Sequence, residues 1–318
     1  MYDVIALGEL LIDFAPQSVN EAGYPTLAAN PGGAPGNFLA AVNKYGCSAA
    51  MIGKVGDDMF GRLLISTLKQ AGIETRGVIM DPDQFTTLAV VSLDASGNRD
   101  FSFARKPGAD TCLEPDNIDE SLFEGSRVFH FGTLSLTDEP AAEATRRGIE
   151  LARAHGMLVS LDPNLRKPLW HNMEDAKAAM EWSLCQADVV KISDEEIDFL
   201  WGISPEEGAR KLLEEYGVSL VYATLGPKGC YAANAQGGVT VGSPSGILVA
   251  DSTGAGDIFG GSAMSRLLKT GKSPAKLTGE ELRHIVTFAC TAASLSTQTH
   301  GGITSVPDMA DVERKMME

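Results

Sequence analysis

Short apolar runs alternate with longer amphipathic segments along most of this sequence. Runs with the length of buried strands occupy residues 4–8, 128–131, 158–162, 189–192 and 220–223. Segments with helical spacing of apolar residues occupy 37–45, 61–71, 140–154, 175–186 and 205–216. Alternation of this kind predicts a three-layer α/β fold, in which helices cover both faces of a doubly wound, mostly parallel sheet.

Two stretches depart from this alternation. Residues 13–30 are rich in turn formers, and residues 86–105 alternate apolar and polar side chains around the turn signal Ser96-Gly97-Asn98. The second pattern predicts a β-hairpin with one polar and one covered face. We interpret both stretches as strands of a small sheet beside the main domain. A lid over a cleft or a subunit interface would explain such a sheet, and an ordinary edge hairpin is the alternative.

Composition excludes several classes of partner. The 42 acidic and 26 basic residues give a net charge of −16, which argues against nucleic acids and anionic membranes as partners. No run approaches the roughly 18 apolar residues of a membrane span. The N-terminus carries Glu9 and Asp13 but no basic region, so it predicts a first strand and no signal peptide. The five scattered cysteines predict reduced thiols, a cytoplasmic location and no zinc site.

The segment DSTGAGD at 251–257 is the strongest chemical signal, because it precedes a sequence with helical spacing. Gly254 and Gly256 allow turns and close approach, and the free N–H groups at a helix start form an anion hole suited to phosphate. Asp257 follows in the first helical turn, where we expect it to stay ionised at neutral pH. It could accept the proton of a hydroxyl group that attacks the γ-phosphorus of ATP.

Two alternatives for this segment remain open. Gly254 and Gly256 also fit a loose dinucleotide-binding fingerprint, although that fingerprint normally lies early in a chain and has an acid about 20 residues downstream. Here no acidic residue occurs between Asp257 and Glu280. The other alternative is a plain glycine-rich helix start in which Asp257 acts as a capping residue.

A second glycine-rich segment, NPGGAPGN at 30–37, precedes the helical pattern near the N-terminus. Bare backbone beside Asn37 suits a polyol ligand, and Asp13, after the first strand, could accept two hydroxyl groups. Taken alone, Asn37 also has the residue type of an ordinary helix N-cap.

With these elements in order, the sequence resembles the PfkB (ribokinase-like) carbohydrate kinase family over nearly its whole length. The front signature is GGAPGNFLAAVNKYGCSAAMIGKVGDDMFG, and the rear signature is DSTGAGDIFGGSAM, with Ser252 where Thr is more usual. The segments GELLIDF, FARKPGAD, DPNLRKPLW and KISDEE are most similar to fructokinases. Ketodeoxygluconate kinases share the DPN-x-R pattern.

The resemblance implies one ribokinase-like domain over 1–318 with lid strands from about 13–30 and 86–105, and it implies four groups of site residues. The catalytic group is Asp257 as base, Gly254, Ala255 and Gly256 as anion hole, and Arg166 near the phosphate. The sugar-binding group is Asp13, Gly32, Gly33, Asn37 and Arg105. The nucleotide group is Lys191, Glu196, Thr224, Gly226, Lys228 and Gly229. The monovalent-cation group is Asp251, Thr253, Gly302 and Ser305. Glu196 resembles an acid that acts through water on magnesium, with Ser193 in place of its usual Asn partner.

The same resemblance implies ATP and Mg²⁺ as cofactors, with K⁺ as a further candidate, a sugar as substrate, and a homodimer formed through the lid. Phosphorylation of fructose, at its 6-hydroxyl, is the specific expectation. The alternatives are a 2-keto-3-deoxygluconate kinase, another PfkB sugar or nucleoside kinase, a silent sugar- or nucleotide-binding protein, and a dinucleotide-dependent dehydrogenase.

Overall fold

The computed structural model describes residues 1–93 and 99–318. Its strands are β1 (Val4–Leu7), β2 (Leu11–Val19), β3 (Pro25–Gly32), β4 (Ala49–Gly56), β5 (Glu74–Asp81), β6 (Thr87–Leu93), β7 (Arg99–Ala104), β8 (Val128–Gly132), β9 (Leu158–Asp162), β10 (Val189–Ser193), β11 (Leu220–Thr224), β12 (Cys230–Asn234) and β13 (Gly237–Val241). Its helices are α1 (Ala34–Lys44), α2 (Met59–Gln70), α3 (Ala141–Ala154), α4 (Met173–Leu184), α5 (Asp194–Trp201), α6 (Pro205–Glu215), α7 (Ala255–Thr270), α8 (Gly279–Ser296) and α9 (Met309–Met316).

The larger sheet has the strand order β13-β12-β11-β10-β9-β8-β1-β4-β5. In this sheet the seven adjacent strands β5, β4, β1, β8, β9, β10 and β11 pair in parallel. Strand β12 pairs antiparallel with β11, and β13 pairs antiparallel with β12. From β1 the chain passes first to β4 and β5 on one side and later to β8 and the strands beyond it on the other. Ligands of open α/β sheets bind at the carboxyl ends of the strands beside such a reversal.

Strand β1 shows how the sheet separates two cores. Val4 and Ala6 belong to a core shared with helices α1, α2, α7 and α8, whereas Ile5 and Leu7 belong to the core on the other face, with α3 to α6. All four residues are completely buried. Because successive side chains of a strand point to opposite faces, an uninterrupted apolar run indicates a strand covered on both sides. The predicted three-layer, mostly parallel α/β fold is therefore confirmed.

The smaller sheet has the order β3-β2-β6-β7, in which β2 pairs antiparallel with β3 and parallel with β6. The predicted hairpin is the antiparallel pair of β6 and β7, whose register joins Leu93 to Arg99. Its predicted turn at 96–98 lies outside the described residues. Along β6, Ala89 is buried and Val90 is exposed, and Ser102, which pairs with Val90 on β7, is exposed as well, so the open face carries an apolar side chain beside a polar one.

Within residues 1–93 and 99–318, no helix combines the length and the apolar character needed to cross a membrane.

Candidate active site

The last residues of three neighbouring strands lie together at one edge of the larger sheet. Asp162 ends β9, Ser193 ends β10 and Thr224 ends β11, and these strands are parallel. Helix α7 begins beside them and packs against α1 and α8. The predicted base, its anion hole and the predicted nucleotide residues therefore share the carboxyl edge of the sheet, where α/β folds bind ligands.

The start of α7 is shaped by Gly254. This residue is the N-cap, has φ +76° and supplies no side-chain hydrogen bond to the helix. A methyl group on it would lie 3.0 Å from Asn37 Nδ2 and 3.1 Å from the Gly302 Cα atom. Glycine is therefore needed both for the left-handed conformation and for the close approach of two other segments. The Ala255 N–H group donates at 3.3 Å to the Ser252 carbonyl oxygen, and without a capping side chain the N–H groups that follow it stay available to an anion.

Asp257 lies in the first turn of α7, and its side chain is buried. Its Oδ2 atom accepts a hydrogen bond of 2.9 Å from Asn37 Nδ2. Burial raises the pKa of Asp257 to about 6, and the charge of Asp162 adds to this, while Lys191, Asn37 and Arg166 act in the opposite direction. The carboxylate is thus mostly ionised at neutral pH yet more basic than an exposed aspartate, as a general base requires.

Lys191 projects from β10 towards the start of α7. Its Nζ atom forms a 2.8 Å ion pair with Asp162 Oδ2, and a methyl group on Gly256 would lie 3.1 Å from it. Burial alone would lower the pKa of Lys191, but the charges of Asp162, Glu196 and Asp257 outweigh it, so the pKa is raised. An ammonium group beside the positive end of a helix adds to the attraction that the helix itself has for phosphate.

Asp13, on β2, faces bare backbone at β3. A methyl group on Gly32 would lie 2.6 Å from Asp13 Oδ2, and one on Gly33, at φ +114°, would overlap the Glu9 carbonyl oxygen at 2.3 Å. Burial raises the pKa of Asp13 to about 6; the nearby Arg166 lowers it, and Asp257 and Asp251 raise it further. The predicted sugar residue and the predicted base therefore lie within electrostatic reach of each other.

Arg166 stands on a loop that is fixed from several sides. Thr133 donates hydrogen bonds from both its N–H group and its Oγ1 atom to the Pro163 carbonyl oxygen, and Asn164 adopts φ +51°. A left-handed conformation at a residue other than glycine costs free energy, and it persists only where surrounding contacts impose it. The guanidinium group of Arg166 is exposed and donates at 3.4 Å to the carbonyl oxygen of the preceding residue.

Glu196 connects that loop to α5. Its Oε1 atom accepts a hydrogen bond from the Leu165 N–H group, and its Oε2 atom accepts one from the Ser193 N–H group, each at 2.8 Å. Ser193 in turn accepts from the Glu196 N–H group, so the two residues form a capping box. Ser193, which stands where the family pattern has Asn, therefore begins the helix that carries Glu196.

Arg105, which is predicted to bind the sugar, has protein partners on several sides. It is buried, and its three nitrogen atoms donate to Asp110 Oδ2, Thr137 Oγ1 and the Leu134 carbonyl oxygen at 2.8, 2.8 and 2.9 Å. The guanidinium group thus joins the end of β7 to segments beside the larger sheet. A direct contact between Arg105 and a sugar stays a prediction.

The predicted nucleotide loop follows β11. Gly226 has φ +54°, and Gly229 has φ +107° at a point where a methyl group would overlap the Val241 carbonyl oxygen. Lys228, between them, is exposed. These glycines allow the chain to turn tightly from β11 into β12.

The predicted cation residues also come together. Asp251 Oδ1 accepts a 2.9 Å hydrogen bond from the Thr253 N–H group, and its Oδ2 atom accepts one of 3.3 Å from the Gly301 N–H group. Ser305 donates from Oγ to the Gly302 carbonyl oxygen at 3.0 Å. Asp251 thereby joins the segment before α7 to the loop at 301–305.

A family model described as "pfkB family carbohydrate kinase" matches residues 1–309. The chain belongs to the pfkB family of carbohydrate kinases. As a pfkB-family enzyme it is a phosphotransferase that acts on sugar hydroxyl groups.

Individual pfkB proteins are similar over nearly the full length. Fructokinase-1 of Zea mays is 40% identical over 316 residues, which cover 97% of this chain and 96% of the maize protein. The structure of fructokinase with bound ATP from Xylella fastidiosa superimposes with a TM-score of 0.90 at 30% identity, covering 100% and 99% of the two chains. Fructokinase from Vibrio cholerae O395, in a form with bound fructose, ADP and calcium ion, gives 0.86 at 31% identity and 99% coverage of both chains.

Two buried acids in this pfkB structure were not among the predicted site residues. Asp162 meets Lys191, and Glu9 accepts a 3.0 Å hydrogen bond from the Ala34 N–H group at the start of α1. Both positions can be recognised in the sequence. Asp162 is the last residue of the predicted strand 158–162 and opens the motif DPN, and Glu9 directly follows the predicted strand 4–8 and opens the motif ELL. An acid at a strand end on the ligand-binding edge is the signal that could have identified them.

Proposed function

We propose that this protein is an ATP-dependent kinase that transfers the γ-phosphoryl group to fructose, at its 6-hydroxyl. The observation that carries the proposal is the placement of Asp257 at the uncapped start of α7, within electrostatic reach of Asp13 and next to Asn37. The similarity to fructokinases along the whole chain supports fructose as the acceptor.

In the proposed reaction, Asp13 and the backbone at Gly32 and Gly33 hold the sugar, and its reacting hydroxyl points at Asp257. The hydroxyl oxygen forms a bond to the γ-phosphorus while the bond from that phosphorus to the bridging oxygen breaks, and ADP leaves with the electron pair. The hydroxyl proton passes to Asp257. The N–H groups at 254–256, with Arg166 and Lys191, neutralise the charge on the transferring group.

The nucleotide is assigned to the carboxyl ends of β10 and β11. Lys191 and the start of α7 are suited to its phosphates, and we assign Thr224, Gly226, Lys228 and Gly229 to the edge of its site. The open space beside Gly226, where a methyl group would meet no atom within 4 Å, supports this assignment, because it leaves room for a ligand at the end of β11.

The residues present fit a magnesium ion that arrives with ATP. Among the described residues there is no group of three or more His, Cys, Asp or Glu side chains arranged to hold a metal. Mg²⁺ usually keeps several waters and is shared with substrate phosphates, so such a cage is not needed. Glu196 would act through water, since both its oxygens already accept backbone N–H groups and each has a further lone pair. When bound, Mg²⁺ would neutralise phosphate charge.

A monovalent cation, with K⁺ as the candidate, is proposed beside Asp251, Thr253, Gly302 and Ser305. The hydrogen bonds that join the 251–253 segment to the 301–305 loop support this site. A cation there would stabilise the turn from which α7 begins.

We further propose that the whole chain is one kinase domain, with the smaller sheet as a lid that closes over the sugar and excludes water. The smaller sheet and the turn before β3 also carry exposed apolar side chains, namely Val19, Tyr24, Leu27 and Val90. Covering these side chains with a second copy of the chain would form the proposed homodimer.

The free thiols of all five cysteines support the cytoplasm as the compartment.

The geometry favours a neutral sugar over the acid sugar of a 2-keto-3-deoxygluconate kinase. An acid sugar needs a cation for its carboxylate, and of the two candidates Arg105 is already engaged with Asp110, Thr137 and Leu134, which leaves the exposed Lys106. The intact Asp257 and anion hole argue against a silent binding protein.

A screen of acceptors tests the proposal. ADP release is measured with ATP and Mg²⁺ over fructose, 2-keto-3-deoxygluconate, ribose, tagatose 6-phosphate and nucleosides, with an acceptor-free control for ATP hydrolysis. We expect the highest kcat/KM with fructose, and the product should be fructose 6-phosphate by NMR. Activity confined to another acceptor would overturn fructose, and no ADP release with any acceptor would overturn the kinase assignment.

A further inference from the structure

A buried ion pair lies beside the proposed base. Asp162 Oδ2 and Lys191 Nζ are 2.8 Å apart, and the two side chains are only 7% and 13% exposed. The other carboxylate oxygen of Asp162, Oδ1, is buried without a hydrogen-bond partner among the described residues. Burying a carboxylate with one unsatisfied oxygen costs folding free energy. Stabilisation of the fold alone therefore does not explain this ion pair.

The backbone around this pair is held by strand pairing and by hydrogen bonds. Asp162 pairs with Gly132 across β8 and β9, and the residues after it are held by Thr133 and by Glu196. The Asp162 carboxylate therefore has little freedom to follow Lys191 if the lysine is drawn elsewhere. The ion pair keeps the ammonium group against Gly256, next to the proposed base.

We propose that Asp162 is a positioning residue for phosphoryl transfer, which holds the ammonium group of Lys191 against the start of α7 and sets the balance of charge that Asp257 faces. This inference rests on the proposed function, because it assigns Asp257 the role of base. Asp162 does not touch the reacting atoms; it acts through Lys191 and through its own charge.

The charged and titratable groups around Asp257 come from several elements, and they are Asp162 on β9, Arg166 on the loop after β9, Lys191 on β10 and Asp13 on β2. Asp162 and Lys191 act on Asp257 with opposite sign. The Asp162 charge raises the pKa of Asp257, and the Lys191 charge lowers it. Removing one member of the pair should therefore move the titration of the base in one direction, and removing the other should move it in the opposite direction.

The main test is the pH profile of kcat/KM for the wild type, Asp162→Asn and Lys191→Met. In the wild type, activity should fall on the acid side near pH 6 as Asp257 and Asp13 are protonated, and the two substitutions act on the Asp257 part of this limb. In Asp162→Asn this acid limb should move down by about one pH unit, and in Lys191→Met it should move up by a similar amount. We also expect Asp162→Asn to lower kcat by up to about 10²-fold, because Lys191 is no longer held in place.

Asp188→Asn is the matched control. Asp188 precedes β10, forms an ion pair with Arg153 and accepts a hydrogen bond from the Val159 N–H group on β9, so it joins the same two strands at their other end. In Asp188→Asn the acid limb of the pH profile should coincide with that of the wild type. If the role of Asp162 were merely structural, the acid limb of Asp162→Asn would coincide with it too.

Carboxyl ¹³C NMR tests the same inference without turnover. The Asp257 signal, assigned by its loss in Asp257→Asn, should titrate lower in Asp162→Asn than in the wild type. An unmoved titration, or an acid limb that coincides with the control, would overturn the inference. If Asp162→Asn does not fold, a Lys191→Met limb that stays in place or moves down would overturn it equally. Failure of the proposed function is distinguishable, because it would appear as wild-type protein that releases no ADP.

Discussion

Asn37 Nδ2 lies 2.9 Å from Asp257 Oδ2, and the two residues are 220 positions apart in the chain. This hydrogen bond joins the front glycine-rich segment to the rear one and makes a predicted sugar residue a direct partner of the predicted base. Because a donor stabilises the charged form of a carboxylate, the contact opposes the effect of burial on Asp257.

Asn37→Asp should replace the stabilising contact to Asp257 with a repulsive one. A second carboxylate would replace the donor at nearly the same volume, and two adjacent carboxylates cannot both ionise readily, so the pKa of Asp257 should rise. We expect kcat/KM at pH 7 to fall by about 10²-fold or more and to recover in part at higher pH. Asn43→Asp makes the same change on α1 away from Asp257 and should keep a normal profile. Equal profiles for the two variants would contradict the prediction.

Asp257→Asn should separate binding from turnover. The amide keeps the size of the side chain but accepts no proton, so turnover should fall by roughly 10²–10⁴-fold while the Kd values for sugar and nucleotide stay within a few-fold of the wild type. Calorimetric titration measures the Kd values, and ADP release measures turnover. Asp311→Asn, in the first turn of α9, is the control for loss of a helix-start carboxylate. Near-wild-type turnover would remove Asp257 from the mechanism.

The layered fold was predictable because buried parallel strands have a simple sequence pattern. Residues 4–8 predicted β1 within one residue, and the helix predicted at 205–216 is α6 (Pro205–Glu215). Strand β13 escaped prediction because it lies at the edge of the sheet and begins with two glycines, which leaves no continuous apolar run. The acidic sequence of the short helix α5 likewise hid its apolar face.

The site was predictable where its chemistry is local. Gly254 and Asp257 belong to one turn and one helix, so their relationship can be inferred from spacing. The environment of Arg105 could not be inferred, because its partners Thr137 and Leu134 are about 30 residues away in sequence. The partnership of Asp162 with Lys191 depends on the pairing of β9 with β10, which the sequence indicates only once the strand order is known.

The pH dependence of sugar binding should follow the protonation of the Asp13 carboxylate. Its pKa is raised to about 6, and an ionised carboxylate accepts sugar hydroxyls better than a protonated one. As pH falls through 6, the KM for the sugar should therefore rise, and kcat/KM should fall more steeply than a single protonation allows, because Asp257 titrates in the same range. Asp13→Asn should bind the sugar weakly at every pH, with a dependence of Kd on pH that is nearly flat. A wild-type sugar Kd that is constant between pH 5 and 8 would contradict this role.

Glu9 should make the protein less stable as pH rises. Burial raises the pKa of Glu9 from 4.5 to about 7, so between these values the folded protein holds a proton that the unfolded chain has released. Stability therefore falls as pH rises from about 4.5 to 7, and the full difference of about 3 kcal/mol is present only above pH 7. Glu9→Gln keeps an oxygen that can accept the Ala34 N–H group but cannot ionise. It should match the wild type at pH 4 and unfold at a temperature several degrees higher at pH 8. Thermal unfolding across this range measures the difference. An effect of Glu9→Gln that is the same at both pH values would show that lost contacts, and not the buried charge, determine it.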